Sequence, residues 1–111
     1  MKTIERKEEL LREAEKLAEK LSSELREIDP QGESPGKDEF LLVFRFFIKE
    51  KSYESLKSLF QFSPPKRSKK TPEYWEKVKQ VLEPLTDQFN EEEFSYILGW
   101  TKRLLEYEFS K

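Results

Sequence analysis

Apolar residues recur every three or four positions along the first quarter of the chain and predict a long amphipathic helix over residues 3–28. The recurring positions are Ile4, Leu11, Ala14, Ala18, Leu21, Leu25 and Ile28, with Leu10 and Leu17 widening the stripe on one side. The stripe is wider than a two-position coiled-coil seam. Two interpretations therefore stay open: packing within the chain's own bundle, or docking of this helix on a partner chain.

The most apolar stretch of the sequence runs from Phe40 to Ile48, with Arg45 as its one charge. Four phenylalanines in nine residues are typical of a strand. The spacing of the rings nevertheless fits a helix, acids precede the run and bases follow it, and no other segment offers a partner strand. We predict a helix that is covered on nearly every side, with Arg45 reaching the surface or a carboxylate.

Proline- and glycine-rich segments divide the rest of the chain. Residues 29–37 are predicted to form a linker that ends the first helix. Residues 38–62 are predicted to contain the helix of the apolar run and a short helix capped by Ser52. Residues 63–72 form a proline-bounded basic loop, and residues 73–111 hold two more helices. The predicted fold is all-α: a single-domain bundle of about five helices with a long N-terminal amphipathic helix.

Local signals add detail to the last two helices. Pro84 interrupts a helical pattern and is expected to kink or break the fourth helix. Asn90 and Glu93 have the spacing of a capping box and predict where the fifth helix begins. Gly99 costs about 1 kcal/mol relative to alanine inside a helix, so we expect it to mark a close approach between two helices.

Composition narrows the classes of function. The chain has no cysteine and no histidine, which removes disulfides, thiolate chemistry, and the commonest general base and metal ligand. Glu91, Glu92 and Glu93 stand at a helix N-terminus, where the dipole stabilises acids, and the three glycines form no phosphate loop. We therefore expect no enzymatic activity, no catalytic residue, no metal, no cofactor and no small-molecule substrate.

The distribution of apolar residues also bears on location. No apolar run approaches the length that crosses a bilayer, and the charged start of the sequence lacks the apolar region of a signal peptide. We expect a cytoplasmic protein without membrane contact. Abundant Glu and Lys without cysteine resemble a thermophile's composition, although a solvated helical surface gives the same composition.

The basic loop is the segment whose composition folding does not require. Residues 63–72 carry four bases and no acid, whereas residues 73–111 carry nine acids and five bases. Such a cluster suits phosphate backbones, and the alternative is an ordinary solvated loop. The predicted nucleic-acid contacts are Lys66, Arg67, Lys69, Lys70, Lys102 and Arg103.

A second stripe, which includes three aromatic residues, runs along one face of the last predicted helix. Tyr96, Trp100 and Tyr107 can stack on unpaired bases, although rings at helical spacing more often pack in a core or a subunit interface. The predicted partner contacts are Leu10, Leu17, Trp100 and Tyr107.

The run from Phe94 to Tyr107, FSYILGWTKRLLEY, resembles the closing helix of the small all-helical subunits of type III CRISPR effector complexes. Those subunits also end in an apolar-aromatic helix that carries a Trp and a basic pair or a terminal Tyr. The resemblance implies a non-catalytic protein of antiviral defence. It would stack in copies along a ribonucleoprotein filament and contact RNA or target-strand backbone through basic residues.

Two hypotheses of different classes follow. In the first, the protein is a non-enzymatic helical subunit of an intracellular assembly that contacts nucleic-acid backbone. In the second, it is a protein–protein adaptor or regulator that docks through its N-terminal helix and makes no nucleic-acid contact. The expected partners are other protein subunits in both cases, together with RNA or single-stranded nucleic acid in the first.

Overall fold

A computed structural model describes residues 3–32, 36–61 and 71–109. The helices in this part of the chain are α1 (Thr3–Ile28), α2 (Lys37–Glu50), α3 (Tyr53–Phe60), α4 (Thr71–Thr86) and α5 (Glu91–Phe109). These described ranges contain no strand. The predicted all-α, single-domain bundle of about five helices is confirmed.

The first and fifth helices lie side by side and run in the same direction. Near their starts, Nε of Arg6 donates to a carboxylate oxygen of Glu93 at 2.5 Å. Near their ends, Nη2 of Arg26 donates to the carbonyl oxygen of Glu108 at 3.1 Å. The main neighbour of α1 is therefore a helix far from it in sequence.

The second and fourth helices run against this pair. The ring of Phe47, near the end of α2, meets the ring of Phe94, near the start of α5, edge to face with centroids 4.9 Å apart. The hydroxyl of Tyr74, near the start of α4, donates to the carboxylate of Asp29, just beyond the end of α1, at 3.1 Å. Four helices thus surround one core, with α1 and α5 running in one direction and α2 and α4 in the other, and α3 packs against α2.

The buried face of α1 corrects one prediction. Leu10 and Leu17 were expected to contact a partner chain, but each is only 5% exposed and belongs to the protein's own core. Since α5 and α4 both pack on α1, they cover a wider arc than one neighbour would. Leu11, which we expected inside the stripe, is only half-buried.

The helical interpretation of the phenylalanine run is confirmed, because α2 contains all of it. Phe40, Val43 and Phe47 are fully buried, and Arg45 is exposed as expected. The run is nevertheless covered less completely than predicted. Ile48 is 40% exposed, which leaves an apolar surface at the end of α2.

The predicted caps at Ser52 and Asn90 are confirmed, whereas the predicted break of α4 at Pro84 is wrong. Oγ of Ser52 accepts the N–H of Ser55 at 3.3 Å at the start of α3. The backbone N–H of Glu93 donates to Oδ1 of Asn90 at 2.8 Å, and the N–H of Asn90 donates to Oε1 of Glu93 at 3.0 Å, which is the predicted capping box. Pro84 does not break α4, which continues to Thr86. Pro84 has no N–H to donate to the carbonyl one turn earlier. Burial of the apolar face of α4 offsets the loss of that one hydrogen bond.

Candidate functional site

An open groove of about 380 Å³ separates α2 from α5 on one side of the bundle. It is lined by Phe44, Ser95, Tyr96, Gly99, Trp100, Lys102 and Arg103. Two predicted nucleic-acid contacts and one predicted partner contact therefore meet at one cavity, together with two further aromatic rings. We call this cavity the α2–α5 groove.

Gly99 leaves the wall of the groove open. A Cβ built on Gly99 would find Cε1 of Phe44 as its nearest neighbour, at 4.0 Å, which is an ordinary van der Waals separation. The prediction that Gly99 marks a close approach of two helices is therefore wrong. α2 and α5 stand far enough apart here to admit a side chain, and the missing side chain contributes to the width of the groove.

Cations lie over two of the aromatic rings. The guanidinium carbon of Arg103 is 5.1 Å from the centroid of the Trp100 ring, and Nζ of Lys102 is 6.0 Å from that of Phe44. Both distances fall within the range of cation–π attraction. These contacts hold the Lys102 ammonium and the Arg103 guanidinium beside the groove, where both side chains would otherwise extend into solvent.

One carboxylate balances part of this charge. Oε1 of Glu106 is 3.0 Å from Nζ of Lys102, and this hydrogen bond holds the pKa of Glu106 below its usual range. The charges of Lys37 and Arg103 act in the same direction. Three cations therefore act on Glu106, and the lining of the groove itself contains two cations, Lys102 and Arg103, and no carboxylate.

The hydroxyl of Ser95 is buried against the groove and, among the described residues, has no hydrogen-bond partner. A helical serine or threonine usually donates to the carbonyl one turn earlier, as Thr101 does to Ile97 at 2.7 Å. A buried polar group without a partner costs about 1–3 kcal/mol. The oxygen is shielded from solvent, so a ligand in the groove reaches it only after the Ser95 side chain rotates.

The glutamates at the start of α5 have structural contacts. Oε2 of Glu91 accepts the backbone N–H of Tyr53 at 2.7 Å, and Glu93 joins the capping box and Arg6. Together with the hydrogen bond from Asn90, the contact with Arg6 holds the pKa of Glu93 below its usual range.

Within the described ranges, no group of three or more carboxylates is placed to hold a metal ion. None of the described helices has the length and apolar character needed to cross a membrane.

A larger groove of about 840 Å³ lies between α3 and α4. Its charged residues are two cations and two carboxylates: Lys57, Lys79, Glu83 and Asp87. Lys79 is already engaged, since its Nζ donates to the carbonyl of Phe60 at 3.1 Å and pairs with Glu76 at 2.9 Å. With both signs present in equal number, this groove has no preference for a charged ligand.

The predicted site residues divide into three groups. Lys66, Arg67, Lys69 and Lys70 lie outside the described residues. Lys102, Arg103 and Trp100 come together at the α2–α5 groove, and Tyr107, one helical turn beyond Arg103, is 60% exposed. Leu10 and Leu17 belong to the core, as described above.

Sequence reasoning did not assign Phe44 or Ser95 to the site. Phe44 lies in the most apolar run of the chain, and that pattern does not reveal which ring faces a cavity. Nothing in the sequence distinguishes Ser95 as a site residue, because the hydroxyl of a helical serine ordinarily bonds to the backbone of its own helix.

Comparisons with protein-family models, with curated proteins and with solved structures found no match for this chain.

Proposed function

We propose that this protein is a non-enzymatic helical subunit of a larger intracellular assembly that contacts nucleic acid at the α2–α5 groove. The observation that carries the proposal is the meeting of aromatic rings and cations at one exposed cavity, with Trp100 beneath Arg103 and Phe44 beneath Lys102. The basic residues at 66–70 are a second proposed contact, and they rest on sequence alone. A place in a type III CRISPR ribonucleoprotein is the finer proposal, supported by the resemblance of α5.

Physical chemistry connects this arrangement with nucleic acid. Lysine and arginine attract phosphates whatever the base sequence, and they release counterions as they bind. Aromatic rings beside them stack on bases that have no paired neighbour. Neither interaction needs a general base, a metal or a nucleophile, which agrees with a chain that lacks histidine and cysteine.

The experiment is a salt titration of binding to a fluorescent single-stranded oligonucleotide. Each phosphate contact contributes about 0.7 to the slope of log affinity against log salt for a single strand. The double variant Lys102→Ala/Arg103→Ala should therefore lower that slope by about 0.7 where both cations contact one phosphate, and by about 1.4 where each contacts its own. A matched control, Arg12→Ala/Lys20→Ala, removes the same two charges from the exposed face of α1 and should leave the slope unchanged.

Charge reversal of Lys66, Arg67, Lys69 and Lys70 tests the second proposed contact in the same assay. Affinity should fall, and most steeply at low salt. Absence of binding at low salt would refute the proposal. So would a slope that neither the groove variant nor the loop variant changes.

A protein–protein adaptor is the second candidate, and the exposure of Ile48 and Tyr107 favours it. Docking through the apolar stripe of α1 is not part of it, since that stripe is in the core. Deleting α1 would consequently unfold the bundle and test nothing. Tyr107→Ala is the sharper variant: an adaptor should lose its protein partner in a pull-down, while Lys102→Ala/Arg103→Ala retains it.

A further inference from the structure

We infer that the α2–α5 groove holds one unpaired nucleotide of a strand, with its base among the aromatic rings and its phosphate against Lys102 and Arg103. This inference rests on the proposed function and names the ligand of the same site. It adds a mode of contact, the insertion of a base, to an attraction that is otherwise electrostatic. Four features of the groove carry it.

The first feature is the combination of rings and charges. Phe44, Tyr96 and Trp100 are all half-buried around an open cavity, and three such rings suit either a flat ligand or a quaternary ammonium group. Lys102 and Arg103 already lie over two of these rings. A cationic ligand would meet like charge, so the groove favours a flat ligand that carries negative charge.

The second feature is the position of the rings inside a cleft. The groove is a cleft of about 380 Å³ between two helices, and its rings line the interior instead of forming an outer surface. A base within a duplex has both faces covered by its neighbours and cannot enter such a cleft. A base in a single strand can unstack and turn its face to a ring, so the groove should distinguish single strands from duplexes.

The third feature is the Ser95 hydroxyl, which has no described partner. Base edges carry donors and acceptors, and a hydroxyl can do both because its hydrogen rotates. Once the Ser95 side chain rotates toward the groove, a bound base would satisfy it whichever of the base's edge groups faces the hydroxyl. We expect a contribution to affinity with little preference between bases.

The fourth feature is Gly99. Glycine is unfavourable inside a helix relative to alanine, and no neighbouring helix requires it here, since the nearest atom to a Cβ would be 4.0 Å away. Its role in this fold is to leave the groove open. A larger side chain at this position would fill the space that the base needs.

Gly99→Leu tests the inference, because it fills the groove without changing any charge. Affinity should be measured at one salt concentration for a ten-nucleotide single strand, for the matching duplex and for a mononucleotide. The variant should bind the single strand about tenfold more weakly, the effect expected of losing one stacked base. Its affinity for the duplex should be unchanged. Gly99→Ala is the control, since it improves helix propensity while leaving most of the groove open.

Tryptophan fluorescence gives a second, local measurement. The chain has two tryptophans: Trp75 is 4% exposed and Trp100 lies at the groove. Trp75→Phe leaves Trp100 as the single reporter. Addition of the single strand should quench its emission, while addition of the duplex at equal phosphate concentration should quench it far less.

Ser95→Ala separates binding from folding. Removing a buried hydroxyl that has no described partner should leave the melting temperature equal or higher. Affinity for the single strand should fall between about twofold and tenfold, as expected for one hydrogen bond. Unchanged affinity would remove Ser95 from the site.

The outcomes distinguish the inference from the function on which it rests. No binding of either strand form at low salt overturns the proposed function and the inference together. Equal binding of single strand and duplex, insensitive to Gly99→Leu, overturns the inference and leaves the proposed function standing. A mononucleotide that binds as tightly as the ten-nucleotide strand overturns the assignment to a strand.

Discussion

Two glycines should respond in opposite ways to the same substitution. Gly36 begins α2 with a φ of 74°, and a Cβ on it would lie 2.6 Å from Cδ1 and 2.7 Å from Cδ2 of Leu25. Gly99 has a helical backbone, and a Cβ on it would be 4.0 Å from the nearest atom of Phe44. Gly36→Ala should destabilise the protein, and Gly99→Ala should stabilise it.

The magnitudes follow from separate effects at each site. A left-handed conformation costs a residue with a side chain about 1–2 kcal/mol. Forcing a methyl group against Leu25, which is fully buried, adds the cost of overpacking, about 1–3 kcal/mol. Gly36→Ala should therefore lower the free energy of unfolding by about 2–5 kcal/mol, whereas Gly99→Ala should raise it by about 1 kcal/mol.

Urea unfolding followed by circular dichroism measures both changes, provided that the m-value stays constant. The thermal midpoint of Gly99→Ala should rise by about 4 °C for a domain of this size. A double-mutant cycle isolates the clash. In a Leu25→Ala background the obstructing atoms are gone, so Gly36→Ala should cost about 1–2 kcal/mol, the left-handed backbone alone.

Two results would contradict this account of Gly36. One is an alanine variant of Gly36 that is as stable as the wild type. The other is strict additivity of Gly36→Ala and Leu25→Ala in the cycle, because it would mean that the two residues do not contact each other. For Gly99, any loss of stability on substitution by alanine would mean that the groove is narrower than described.

The remaining predictions concern the caps and the titratable groups. Asn90→Ala should lower the free energy of unfolding by about 1 kcal/mol through loss of the capping bond, measured by urea unfolding at neutral pH. The pKa of Glu93 is lowered by the hydrogen bond from Asn90 and by Arg6, so its contribution to stability is present above the unfolded pKa of about 4.3 and is lost as the pH falls through the folded pKa; the difference in stability between wild type and Glu93→Gln should accordingly shrink in acid. Burial raises the pKa of Tyr53 and of Tyr74 to about 12, with nearby carboxylates, above all Glu91 for the former and Asp29 for the latter, acting in the same direction. Both phenols then stabilise the fold fully below pH 10 and less as the pH rises toward 12, and Tyr53→Phe and Tyr74→Phe should each remove one late step from the tyrosinate absorbance titration.

Much of this fold could be predicted from the sequence because its signals are local. The apolar period defines α1 and α2, and the capping box marks the start of α5 within a residue. The prediction of a helix for α2 was correct despite its strand-like composition, since an isolated strand cannot satisfy the hydrogen bonds of its own backbone. Pro84 was less informative, because the effect of a proline depends on how near the helix end lies.

The candidate site was harder to predict because it depends on which helices are neighbours. Periodicity identifies the apolar face of α1 but not how wide an arc its neighbours cover, so Leu10 and Leu17 were assigned to a partner chain. Lys102, Arg103 and Trp100 were found because cations and rings are informative by type. Phe44 joins them only through the antiparallel register of α2 against α5, and no residue near it in sequence encodes that register.

The pairing of α1 with α5 has a consequence for the order of events during synthesis. The ribosome releases α1 well before α5, so the apolar stripe of the nascent α1 has no permanent cover while the intervening helices are being translated. Folding must wait for a contact between distant parts of the chain, which slows it relative to a bundle of sequential hairpins. The unfinished chain is therefore most prone to aggregation in the interval before α5 is released.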